Sequence, residues 1–220
     1  MWSSLKKLMK EKMGREEISK HKRKLFNIAN IENDDYKEYL DLQLARSFSK
    51  KSNTLADRNR EFIDIVAREI ELQFCRVLCV GCRNSSELDY MKRKGAKSAH
   101  GIDLFSECQD IVVMDMHDMK FPDNEFDLIF SAHSLEHAHS ISKVVNEMLR
   151  VVKNNGYIAI EVPVKYQTRG ADIVDFDNLD NLHEIFSPFI AEYVWSETNI
   201  LGSDEPGTST IRTIFRVEKP

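Results

Sequence analysis

Three apolar runs in this chain each stop at a residue with chemical use. Val77-Leu78-Cys79-Val80 ends at Gly81, Gly101-Ile102 at Asp103, and Ile111-Val112-Val113-Met114 at Asp115. A glycine lets the backbone turn sharply and approach a ligand closely. Carboxylates accept hydrogen bonds from hydroxyl or amino groups. A fourth run, Phe126-Asp127-Leu128-Ile129-Phe130, leads into His133-Ser134-Leu135-Glu136-His137. If that segment is helical, positions 133, 136 and 137 share one face. Such a face suits proton transfer, because imidazole titrates near neutral pH. The same residue types also suit a divalent cation.

Short apolar runs alternating with helical patterns imply a parallel sheet covered by helices on both faces. Tyr157-Ile158-Ala159-Ile160-Glu161-Val162-Pro163 supplies a fifth strand. Ligands of such sheets bind beyond the carboxyl ends of the strands. Gly81, Asp103 and Asp115 therefore converge on one crevice and together describe a nucleoside-shaped ligand.

Three helical patterns precede the first strand. Trp2, Leu5, Met9 and Met13 mark a helix over 1–25. Tyr36, Tyr39, Leu40, Leu44 and Phe48 mark one over 35–49. Leu55, Phe62, Ile65, Val66, Ile70 and Phe74 mark one over 55–73. The third runs straight into the first strand and is expected to pack on the sheet. The first two are expected to form a lid or cap, and the Tyr36–Phe48 stripe reads as core rather than as a ligand box. After Pro163 the pattern predicts a loop over 165–177, a helix over 178–186, and strands over 193–198 and 211–217. Gly, Asp and Pro between 202 and 207 supply the turn chemistry. A closing hairpin after alternating strands and helices gives a mixed sheet with an antiparallel edge.

With 220 residues, 42% of them hydrophobic, the chain fits one α/β domain with an extension. No apolar run reaches the roughly 18 residues of a bilayer span, and the lysine-rich start lacks the features of a secretory signal. The net charge of −5 is uneven: residues 1–26 hold nine Lys/Arg against three acids, a local +6, which leaves −11 for the rest. An acidic body disfavours contact with a nucleic-acid backbone. The basic start can meet an anionic membrane, RNA or the protein's own acidic surface. Cys79 and Cys82 form a C-x-x-C without a second ligand pair, so reduced thiols and a cytoplasmic setting are expected.

Residues 77–163 resemble the class I S-adenosylmethionine-dependent methyltransferases, of the methyltransferase type 11 kind. Asp115-Met116-His117-Asp118-Met119-Lys120-Phe121-Pro122-Asp123-Asn124-Glu125-Phe126-Asp127 is similar to the family's acid followed by a Phe-Pro-Asp-x-x-Phe-Asp run. Ser131-Ala132-His133-Ser134-Leu135-Glu136-His137 matches the segment after strand four. Leu149-Arg150-Val151-Val152-Lys153-Asn154-Asn155-Gly156-Tyr157 matches the turn into strand five. The resemblance implies a Rossmann-like α/β fold with a seven-stranded, mostly parallel sheet and an antiparallel C-terminal strand. Residues 55–220 would form the methyltransferase domain, and 1–54 a helical N-terminal extension.

The resemblance also implies S-adenosylmethionine as cofactor. Gly81 and Cys82 would lie at its methionine end, Asp103 and Leu104 at its ribose, and Asp115 and Met116 at its adenine, with His117 and Ser131 at the edge. The first loop departs from the family's glycine-rich pattern. Arg83 and Asn84 can replace glycine backbone contacts with side-chain donors, and Glu87 can stand in for a missing acid. His133 and His137 are the candidate bases, and Tyr166, Arg169 and Asp172 the candidate acceptor contacts.

The acceptor implied is a small polar molecule methylated on oxygen, a sugar or related metabolite, with the protein a monomer or weak homodimer. The His-x-x-Glu-His segment is also similar to the metal-using Glu-x-x-Glu-His of small-RNA 2′-O-methyltransferases. That alternative would join His133, Glu136, His137 and His183 around a divalent metal, which the reading does not favour. A non-catalytic binding module with a degenerate first loop is the third alternative.

Overall fold

In β1 (Arg76–Val80), Val77 and Cys79 face one side of the sheet and Leu78 and Val80 the other, as the two-residue period of a strand requires. The same division recurs in β4 (Phe126–Ala132), β5 (Val152–Pro163) and β7 (Thr210–Val217), where Leu128, Ala159 and Ile214 join the first face and Ile129, Ile158 and Phe215 the second. With β2 (Ser98–Asp103), β3 (Ile111–Val113) and β6 (Ile190–Asn199) they form one seven-stranded sheet of order β3-β2-β1-β4-β5-β7-β6. Pairing is parallel from β3 through β5, and β7 runs antiparallel to both β5 and β6. This computed structural model describes residues 34–49, 54–164, 173–201 and 208–220.

Helices cover both faces. The first face takes α2 (Asp57–Glu69), whose buried Asn59, Phe62, Ile63 and Val66 recur at helical spacing, and α3 (Ser86–Arg93) with Leu88 and Met91. The second takes α4 (Ile141–Val151) through Val144, Val145 and Met148, and the short α5 (Leu179–Glu184) through Leu182. α5 starts where the Asn178 side chain accepts the Asn181 amide at 2.9 Å. The first described helix, α1 (Asp34–Ser49), carries Tyr39, Leu40 and Leu44 on its buried face.

Two elements differ from expectation. The helix expected over 55–73 ends at Glu69, because Ile70 turns extended and a 3-10 turn over Leu72–Phe74 follows; Phe74 is thereby 65% exposed instead of packed. The fifth strand starts at Val152 rather than Tyr157, since Val152 pairs with Phe126 across an irregularity before regular pairing resumes at Tyr157. The helix expected over 1–25, Tyr166, Arg169 and Asp172 in the loop after β5, and the turn over 202–207 lie outside the described residues.

Arg150, in the last turn of α4, fixes the segment before β4. It donates to the carbonyls of Met119 and Phe121, both at 2.7 Å, to Asp123 at 2.7 Å and to Glu147 at 2.7 Å. The planar guanidinium fork makes this multiple engagement possible. Among the described residues, no helix is long and apolar enough to cross a membrane.

Candidate active site

The chain reverses direction across the sheet at β1, which has β2 on one side and β4 on the other. A crevice opens there, beyond the carboxyl ends of the strands, as such a switch point dictates. Its wall comprises Gly81 and Arg83 after β1, Ile102, Asp103 and Leu104 from β2, Met114 and Met116 after β3, and His133, Ser134 and His137 after β4. Tyr39, Gln43 and Ser47 of α1 close the remaining side. The space between these walls is about 480 Å³, part of it open solvent.

Gly81 shapes the floor. Its φ is +76°, and a Cβ built there would lie 2.3 Å from Ser134 Oγ and 2.7 Å from Ser134 Cβ. Only glycine suits both the conformation and the contact. Ser134 Oγ donates to the Val80 carbonyl at 2.7 Å, tying the turns after β1 and β4 together.

Asp103 receives the Arg83 amide on Oδ2 and the Phe105 amide on Oδ1, each at 3.0 Å. One acceptor position on each oxygen remains for a ligand. Burial pushes this carboxyl above its ordinary range, and the two amides and the Arg83 charge oppose that.

Asp115 is differently engaged. Its Oδ1 accepts the His117 amide at 2.9 Å and sits 2.7 Å from His117 Nδ1, while Oδ2 accepts the Tyr36 hydroxyl at 2.5 Å. The Ser140 amide donates to His117 Nε2 at 3.3 Å, so the ring spans the loop after β3 and the start of α4. Burial would raise the Asp115 carboxyl, but the His117 and Tyr36 donors outweigh it and hold it below the usual range. Tyr36, Tyr39, His117 and His139 pack edge to face or tilted, with centroids 5.1–5.6 Å apart.

The histidine segment is not an α-helix. Leu135–His137 forms a 3-10 turn, and His133 precedes it with a φ of +54°. Glu136 Oε1 lies 3.5 Å from His133 Nδ1 and 3.7 Å from His137 Nε2. His183 sits elsewhere, at 2.9 Å from Thr213 Oγ1 and stacked on Tyr193 at 4.4 Å. Among the described residues no three His, Cys, Asp or Glu side chains are grouped to hold a metal.

Residues 78–160 match a family model described as a methyltransferase domain. A stretch of 112 residues is 32% identical to the sterol 24-C-methyltransferase of Aspergillus fumigatus, covering 51% of this chain and 27% of the fungal enzyme. The glycine/sarcosine/dimethylglycine N-methyltransferase of Actinopolyspora halophila is 29% identical over 85 residues, 39% of this chain and 14% of that protein. The chain thus spans well under two thirds of either curated relative. The crystal structure of Burkholderia thailandensis 1,6-didemethyltoxoflavin-N1-methyltransferase, with bound 1,6-didemethyltoxoflavin and S-adenosylhomocysteine, shares the fold. Its TM-score is 0.60 at 15% identity, over 74% of this chain and 79% of that one. Residues 78–160 thus match a methyltransferase domain, and the fold is shared with that solved methyltransferase.

The crevice of this methyltransferase domain brings Gly81, Arg83, Asp103, Leu104, Met116, His133 and His137 together. Other candidates are turned away. Cys82 is buried, with its thiol on the Ile102 carbonyl at 3.7 Å. Asn84 accepts the Ser86 amide at 2.9 Å, an Asx turn that starts α3. Ser131 is fully buried inside β4. Glu87 accepts Asn59 Nδ2 at 2.6 Å, and burial pushes its carboxyl up to about 8 against that bond. The side chains of Asp115 and His117 are held against α1 and α4. Tyr39, Gln43 and Ser47 were not anticipated at the crevice; a buried glutamine within an apolar helical face was the available signal.

Proposed function

We propose that this chain is an S-adenosylmethionine-dependent methyltransferase acting on an oxygen of a small polar acceptor, a sugar or related metabolite. The observation that carries the reading is the convergence, at the sheet's switch point, of the Gly81 turn, the Asp103 carboxylate and the His133/His137 pair. Asp103 retains acceptor positions for ribose hydroxyls. Gly81 leaves room for the methionine end, and Arg83 offers a cation beside it. Leu104, Met114 and Met116 give the adenine an apolar slot.

When bound, the cofactor supplies a methyl group on a sulfonium, already activated toward displacement. The residues around the acceptor then have two tasks. They hold the acceptor oxygen in line, which supplies much of the rate, and they take the proton it releases. His133 and His137 stand on the same wall as Gly81 and provide the imidazoles for that transfer. Polar side chains on this wall favour a hydroxylated acceptor over an apolar one. The relatives' names cover carbon and nitrogen acceptors, so the domain match leaves the acceptor to the site.

Calorimetric titration with S-adenosylmethionine tests the reading. Micromolar binding by the protein, abolished in Asp103→Ala, is the expected result. A screen of acceptors beginning with sugars, with and without EDTA, follows. Absence of binding by the intact protein would leave a non-catalytic module of the same fold.

A further inference from the structure

Behind His133 lies a chain of buried charges. Glu161 on β5 and Arg212 on β7 are direct cross-strand partners in the antiparallel register. Glu161 is 0% and Arg212 4% exposed, and Arg212 Nε donates to Glu161 Oε2 at 2.5 Å. The rest of the guanidinium is fixed as well: it donates to Glu61 on α2 at 3.0 Å, to Glu197 on β6 at 3.3 Å, and to the Arg58 carbonyl at 3.3 Å. Arg212 cannot swing, so Glu161 cannot either.

The other oxygen of Glu161 meets His133. Oε1 is 2.9 Å from His133 Nε2, and the His133 amide donates to the Glu161 carbonyl at 2.9 Å. The left-handed backbone at His133, uncommon for a residue with a side chain, aims the ring this way. Nε2 is closed off from solvent, and the contact is an ion contact rather than an aligned hydrogen bond. Catalytic hydrogen bonds in unliganded enzymes are often loose in this manner and tighten once substrate is bound. Nδ1, across the ring, has Glu136 Oε1 at 3.5 Å, and the His133 residue lines the crevice.

We propose that Glu161, held by Arg212, is the positioning residue for His133, fixing the ring with its proton on Nε2 so that Nδ1 accepts the proton of the acceptor hydroxyl. This rests on the methyl-transfer reading above. The proton passes from the acceptor oxygen to Nδ1, while Nε2–H stays with Glu161 and the new imidazolium lies between two carboxylates. A base oriented by a third group is the general logic of nucleophile activation. The groups facing the ring are Glu136 and His137 from the 3-10 turn, Glu161 from β5 and Arg58 from α2. Burial lowers the His133 pKa, but Glu136 and Glu161 outweigh burial and the Arg58 charge and hold it above the ordinary range.

Nitrogen-15 NMR of the histidine rings tests this without an acceptor, with His133→Gln used for assignment and EDTA in the buffer. The wild type should show neutral His133 as the Nε2–H tautomer. Glu161→Gln should scramble the tautomer and move the titration down by about one to three units, the usual reach of a close opposite charge. An Nδ1–H tautomer in the wild type, or a titration unmoved in Glu161→Gln, would overturn the proposal and leave Glu161–Arg212 as a structural pair. If Glu161→Gln fails to fold by circular dichroism, the wild-type tautomer alone decides. Titration of the wild type with S-adenosylmethionine, run alongside, reports on the methyltransferase reading separately.

Discussion

The Tyr36 hydroxyl donates to Asp115 Oδ2 at 2.5 Å, joining α1 to the loop after β3. His117 makes both its contacts on Oδ1. An adenine amino group that sought Asp115, as the family resemblance implies, would therefore share Oδ2 with this phenol, and docking of α1 would weaken that contact. Tyr36→Phe keeps the aromatic packing and removes the hydroxyl. We expect it to tighten S-adenosylmethionine binding by about 1 kcal/mol, roughly fivefold, the net worth of one such bond. Amide exchange along α1 should quicken in the absence of cofactor. Weaker binding in calorimetry would instead make Tyr36 part of the binding wall.

Glu87 predicts a pH dependence of stability. Its carboxyl is buried and raised from 4.5 to about 8, with burial as the main cause. A folded-state value above the unfolded one means the folded protein binds the extra proton. The contribution is complete below about pH 4.5 and is lost as pH rises through about 8. Glu87→Gln mimics the protonated form and still faces Asn59. Its melting temperature should decline less than that of the wild type between pH 5 and pH 8 (roughly the window set by the shift). Parallel declines in the two proteins would show that Glu87 is ionised in the fold.

Gly81→Ala should damage both fold and cofactor binding. The positive φ costs an alanine on the order of 1–3 kcal/mol, and the Cβ would press on Ser134. Adding Ser134→Gly removes the side chain the Cβ meets but also loses the bond to the Val80 carbonyl. The double variant should regain only part of the loss in urea titrations. Full recovery would mean that crowding alone, and not backbone conformation, demands glycine here.

β1, β2, β3 and β5 were legible because each is an apolar run closed by a glycine, an acid or a proline, and in a parallel sheet such runs are buried on both faces. Gly81 and Asp103 could be placed for the same reason: a residue that ends a strand has its position set by the topology. The role of α1 was legible in part: a cap was expected of it, while its Tyr36–Phe48 stripe read as core. Tyr36 and Tyr39 lie at helical spacing among leucines, and spacing does not say whether a face meets a core or a crevice. Glu161 and Arg212 were hidden for a different reason: they stand 51 positions apart, and only the register of β5 against β7 makes them neighbours. The shared face of His133, Glu136 and His137 depended on a helix at that segment, whereas the chain leaving β4 turns left-handed at His133.

Arg150 links a sequence motif to the crevice's far wall. Its guanidinium donates to two carbonyls and two carboxylates, so the segment at 119–123 hangs from one side chain. That segment begins just beyond Met116 and His117 and leads into β4, whose last residue, Ala132, immediately precedes His133. Arg150→Met keeps the aliphatic stem and deletes every donor, leaving the Met119 and Phe121 carbonyls without this partner. The loss should be about 2 kcal/mol or more, since removing one partner from buried acceptors costs about 1–3 kcal/mol. Arg150→Lys should recover little, because an ammonium cannot reproduce the fork. Hydrogen exchange should quicken at 119–123 before the rest of the sheet responds. If exchange rises uniformly instead, Arg150 supports the global fold, and the crevice wall does not depend on it locally.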